Sequence, residues 1–157
     1  MLAEIQVKRL LKHCENINEE LDQLEKQQEK IVDSINYASR IQHSILLPED
    51  KIREYLSGFS VFYKPRDIVS GDFYWLYNKG NIIYFAVSDC TGHGVPGALV
   101  SVVCSNALNL SILDHGSTKP SEILDRTRKL IVRRFSRSEQ EIKDGMDISL
   151  CALNYKT

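Results

Sequence analysis

Glycine and proline are missing from the first 47 residues, the earliest of each being Gly58 and Pro48. A stretch of that length without either breaker excludes a turn-rich N-terminus and favours one long helix. Cysteine is sparse as well. Cys14, Cys90, Cys104 and Cys151 form no CxxC pair, and three of them sit in apolar stretches where a free thiol behaves as a small hydrophobe, so a reducing, cytoplasmic setting is expected. Long runs of one charge are absent too. With 20 basic residues against 21 acidic ones the net charge is −1, which gives no support to nucleic acid or an acidic membrane as partner. No apolar run reaches the length expected of a membrane span, and the opening MLAEIQVKRLLKHCEN is too charged for a signal peptide. What is present, 157 residues of which 43% are hydrophobic, suffices for one modest domain and an accessory segment.

The accessory segment is written in sevens. Ala3, Leu10, Ile17, Leu24, Ile31, Ala38 and Ile45 form a d row, and Val7, Cys14, Leu21, Gln28, Ile35 and Gln42 form an a row. Consecutive heptads rich in Glu, Lys, Gln and Leu argue for a helix that buries a narrow seam against a partner, so residues 1–47 are expected to be a coiled coil that makes the chain a homodimer. A single amphipathic helix lying on its own domain is the alternative, and it normally carries a wider apolar face. The coil should stop at Pro48, which disfavours helical geometry at Leu47.

From residue 48 the period changes from helix to strand. FSVFYKP, DFYWLYN and NIIYFAVSD are β-branched or aromatic and bounded by turn residues, which predicts strands near 59–65, 72–78 and 81–89. A hairpin turn falls at residues 78–81. Helices are expected at about 97–113, apolar nearly all round, and at about 119–135, with Thr118 as its cap and Pro120 in its first turn. MDISLCALNY is a last strand. The fold class is therefore α+β.

The hairpin brings Asp72 and Asp89 to the same end of two neighbouring strands. Paired carboxylates repel, so they share a proton, sit solvated at a rim, or bind a cation. Gly71 before Asp72, and Cys90, Thr91, Gly92, His93 and Gly94 after Asp89, let the backbone approach closely and present its carbonyls or amides. An oxygen-rich site of this kind suits Mg²⁺ or Mn²⁺. Three other readings compete. Zinc on Cys90, His93 and Cys104 has no usual ligand spacing. A phosphate cradle for nucleotides lacks GxxxxGK[ST] and GxGxxG. Ser88 with His93 as a nucleophilic pair lacks its GxSxG context.

IQHSILLP (41–48), VSGDFYW (69–75), DCTGHGVPGALVS (89–101) and DGMDISLCAL (144–153) together resemble the SpoIIE/RsbU-like serine phosphatases, a bacterial branch of the PPM metal-dependent protein phosphatases. The resemblance covers Ile41 onward. It implies that residues 48–157 are the N-terminal part of an αββα sandwich with two Mn²⁺ or Mg²⁺ ions, dephosphorylating Ser/Thr of a phosphoprotein such as an anti-sigma factor antagonist. It makes Asp72 and Asp89 the metal-bridging acids and the main-chain carbonyl of Cys90 a further ligand, and it likens the preceding helix to one that carries signals from an upstream sensor domain. Other members place histidine two residues after the second acid. Here Thr91 stands there, so His93 is read as structural, and Asp147 matches a strand position, not a ligand. Further acids expected of the family do not follow Asp147, so the chain assayed alone is expected to be inactive. The alternative is a regulatory or dimerisation module without catalysis.

Overall fold

The computed structural model describes residues 1–56, 58–113, 119–136 and 144–156. The chain divides into two compact units, Met1–Tyr37 and Ala38–Thr157. Apart from Met1, the first unit lies within the 42-residue helix α1, Leu2–His43. Its apolar rows are open: Leu10, Leu24 and Ile31 are each 60% exposed or more. Ala3, the first d position, has a side chain outside the described residues.

In the second unit the end of α1 is followed by α2, Glu49–Tyr55, a seven-residue helix that the sequence pattern does not announce. It starts directly after Pro48, has Glu49 and Asp50 in its first turn, and is anchored by Ile52, which is fully buried. Then come β1 (Phe73–Lys79), β2 (Ile82–Cys90), α3 (Gly94–Leu113), α4 (Pro120–Phe135) and β3 (Met146–Asn154). Thr118, the expected cap of α4, lies outside the described residues. The strands form an antiparallel sheet in the order β1-β2-β3. Lys79 pairs with Ile82, so Gly80 and Asn81 make the turn, with Gly80 at φ +67°.

Alternation decides which face is covered. Phe73, Trp75, Tyr84, Ala86 and Cys90 point to one side and pack with Val100, Cys104, Leu108 and Ile112 of α3 and Ile123 and Ile131 of α4. Helix α3 contains no charged residue and has the length and hydropathy of a membrane span, which the sequence reading did not anticipate. Half or more of that apolar stretch is buried inside the fold, as in a core helix. On the opposite face Ile83 is buried near the turn, while Val87, toward the other end, is 65% exposed.

The strand expected at 59–65 is not one. Its side chains do alternate between half-buried and exposed, from Phe59 to Arg66. Among the described residues, however, no neighbouring strand pairs with it, and an extended segment without a ladder is not a strand.

Candidate metal centre

The register of the hairpin sets the site. Phe73 pairs with Ser88, so one step further Asp72 stands opposite Asp89, and on the other side Asp89 pairs with Asp147. Three carboxylates thus form a row across the end of the sheet and line one cleft of about 640 Å³. Asp147, read from sequence as a strand position only, is a direct neighbour of Asp89, and only the β2–β3 register reveals it.

Main-chain oxygens close in behind the acids. A Cβ on Gly71 would lie 2.8 Å from the Cys90 carbonyl oxygen and 2.9 Å from that of Gly92, so only glycine lets these carbonyls face the segment that carries Asp72. Gly97 is held in the same way, its missing Cβ standing against the Gly92 carbonyl oxygen. Gly94 opens α3 beside Asp67. Thr91 has a definite structural task. Its amide donates to Gly145 O at 3.0 Å, and its hydroxyl donates to Gly145 O at 3.3 Å and accepts from Gly145 N at 3.1 Å. This clip fastens the DCTGHG turn to the start of β3. His93 faces Asp67, with Nδ1 3.4 Å from the carboxylate, and is 78% exposed.

Gln42 was missed. Periodicity assigns it to the coil seam, yet it is buried in the second unit. Its Nε2 donates to Ser70 O and, at 2.9 Å, to Ser101 Oγ, while Ser70 N donates to its Oε1 at 3.1 Å. Ser70 Oγ in turn accepts from the Asp72 amide at 3.0 Å. The end of α1 is thus bonded to the residue two before the first acid. A glutamine close to the apolar pair Ile45 and Leu46, just before Pro48 ends the helix, was the available signal.

Partial desolvation, the Asp89 charge and a hydrogen bond with Asp89 together hold the Asp72 carboxyl above the usual carboxylate range, against a lowering bond from Ser70. A raised carboxyl favours its neutral form in the fold. Its stability contribution is therefore complete below the unfolded-state carboxylate pKa and lost as pH rises through the higher folded value. At pH 7 without a cation, two charges are held against each other, so Asp72→Asn is expected to raise the melting temperature of the metal-free chain at pH 7 and to leave it nearly unchanged near pH 3. Thermal melts in EDTA at both values check this; a lower melting temperature at pH 7 contradicts it.

A hydrogen bond with Cys104 and burial push the Cys90 thiol up, so it stays protonated in the core. Cys104 is buried in that core and His93 lies out on Asp67, so the alternative zinc set does not assemble. Among the described residues no three His, Cys, Asp or Glu side chains converge on one metal position. The donors that do meet are carboxylates with glycine-spaced carbonyls, the chemistry of a hard divalent cation.

The solved structure of the SiaA-PP2C domain of Pseudomonas aeruginosa is 37% identical to this chain, with a TM-score of 0.67. That match covers 78% of this chain and 48% of the SiaA-PP2C domain, so the chain spans about half of that domain's length. No curated protein matches. The family model for Stage II sporulation protein E (SpoIIE) matches residues 79–157, from the last residue of β1 through β2, the glycine turn and β3. With this family model matching half of the chain and the α+β architecture shared with a solved PP2C domain, the chain belongs to the SpoIIE family of PPM-type phosphatase domains.

Proposed function

We propose that this chain contributes the first two metal-bridging acids of a protein serine/threonine phosphatase, acting in the cytoplasm on a phosphoprotein such as an anti-sigma factor antagonist. The observation that carries this reading is the Asp72–Asp89 pairing at one end of the sheet, with the Cys90 carbonyl turned toward Gly71. Divalent Mn²⁺ or Mg²⁺, when bound, supplies an acidified water for in-line attack on phosphorus and neutralises charge on the phosphoryl oxygens. The residues of the chain supply position. Asp72 and Asp89 would hold the cations, Gly71 leaves room for the carbonyls, and the Thr91–Gly145 clip keeps Asp89 and Asp147 in register. No side chain is needed as nucleophile, so the competing Ser88–His93 reading has no task to fill. Ser88 donates to Asp147 O at 3.2 Å and is buried.

The same proposal takes α1 as the link to a second copy of the chain and to an upstream sensor domain. Its exposed a and d rows support that reading. In the complete protein, phosphate release from a phosphoserine protein is expected to require Mn²⁺ or Mg²⁺ and to stop in EDTA. Release that continues unchanged in EDTA overturns the metal-dependent assignment. A complete protein that binds Mn²⁺ without releasing phosphate favours the regulatory module instead.

A further inference from the structure

The two bridging acids are held in different ways. Asp89 lies inside β2 and pairs with Asp147 of β3, whereas Asp72 lies one residue before β1, whose ladder begins at Phe73. The Asp72 side chain is exposed, so its place depends on its main chain. Main-chain groups beyond a ladder need other partners, and here two side-chain hydroxyls supply them. The Asp72 amide donates to Ser70 Oγ at 3.0 Å, and its carbonyl oxygen accepts from the Tyr63 hydroxyl at 3.2 Å. Tyr63 belongs to the extended segment 59–65, whose alternation leaves it half-buried between exposed neighbours. Its ring packs edge-on against Tyr74, with centroids 5.9 Å apart, and its hydroxyl also bonds with Ser70. Partial burial pushes the phenol above its usual range, so it stays a neutral donor.

We propose that Tyr63 is a positioning residue of the metal centre, bracing Asp72 from the extended segment. The inference rests on the metal-dependent reading above and deepens it by naming what the segment outside the sheet contributes. A divalent ion needs oxygen ligands at set distances, and an acid whose backbone swings must be ordered when the ion binds, at a cost in affinity. Asp89 has that order from the β2–β3 ladder. Asp72 takes it from two hydroxyls, of which Ser70 is two residues away on the same loop and Tyr63 stands on a separate segment, fixed by its ring. Supports of this kind set how precisely a ligand is presented. They also give residues 59–65 a task that strand pairing does not.

The test uses this chain with Tyr63→Phe, which keeps the ring against Tyr74 and removes only the hydroxyl. Asp72 O and the Phe73 N–H share one peptide unit, so in metal-free ¹H–¹⁵N spectra the Phe73 amide nitrogen is expected to shift further than any amide outside residues 61–74. In calorimetry, Mn²⁺ binding is expected to weaken about fivefold, the scale of one neutral hydrogen bond. Tyr155→Phe removes a phenol bond of the same kind, to Gly80 O at 2.7 Å at the other end of the hairpin, and should leave Mn²⁺ affinity within about twofold of native. An unmoved Phe73 resonance, or native Mn²⁺ affinity in Tyr63→Phe, overturns the proposal. Equal weakening by Tyr155→Phe overturns it too, because the effect is then one of stability alone. Asp89→Asn tests the underlying reading separately: Mn²⁺ affinity retained there overturns the metal centre, whereas affinity retained only in Tyr63→Phe overturns the brace and leaves the centre standing.

Discussion

Replacing Asp89 with Asn in the complete protein is expected to lower Mn²⁺-dependent phosphate release by about a hundredfold to a thousandfold, the scale of losing a metal-held transition-state contact worth several kcal/mol. Asparagine keeps the size of the side chain and its place in β2. What it removes is the negative charge that a divalent cation needs, while its neighbour Asp72 is left alone at the end of the hairpin. The fold should survive, because Asp89 is exposed and its strand is held by pairing with β1 and β3 on both sides. Asp72→Asn should cost less, since Asp89 stands between Asp72 and Asp147 in the row of acids and Asp72 stands at its end. Circular dichroism, Mn²⁺ binding and phosphoserine-protein hydrolysis measured on the same samples separate these outcomes. A loss smaller than about tenfold at Asp89, with Mn²⁺ still bound, would falsify the assignment of this residue to the metal.

The parts of this site that could be read from sequence are the local ones. Strand alternation and the turn around Gly80 place Asp72 near Asp89 because both acids lie on one hairpin, and the uncharged, largely apolar sequence of α3 announces its burial. What sequence hid depends on pairs far apart in the chain. Gln42 looks like a coil position because periodicity sees only its own helix, whereas its partners lie 28 and 59 residues away. Thr91 looks like a departure from the family pattern until Gly145, 54 residues on, is seen to share its hydrogen bonds. Residues 59–65 show the opposite failure. Their alternation is real, but the ladder that would make them a strand is absent among the described residues, and composition alone cannot supply a partner. Helix α2 is too short for any period to register, and its one fixed point is Ile52.

Two aspartates in the seam of α1, Leu24→Asp with Ile31→Asp, are expected to turn a dimeric chain into a monomer while the second unit stays folded. Most of the stability of a helix in a protein comes from packing its apolar face, and in this 42-residue helix the described side chains of the apolar rows have no cover within the first unit. Leu21, Leu24 and Ile31 are each at least half exposed, and the described residues of the first unit offer nothing else to bury them. Their spacing of three and seven matches a partner helix better than any curved surface. Pairing would bury each of them for roughly 1.5–3 kcal/mol, enough in sum to hold two copies together at micromolar concentration. An aspartate at either position must instead be desolvated opposite its own copy, at about 3–5 kcal/mol for each unpaired charge. Both substitutions lie in the first unit and both acids in the second, so Mn²⁺ affinity at Asp72 and Asp89 should be unchanged. Sedimentation velocity of the native and doubly substituted chains at tens of micromolar decides the matter. If the native chain sediments as a monomer, the seam has some other occupant than a second copy; if the double variant remains a dimer, the interface lies outside α1.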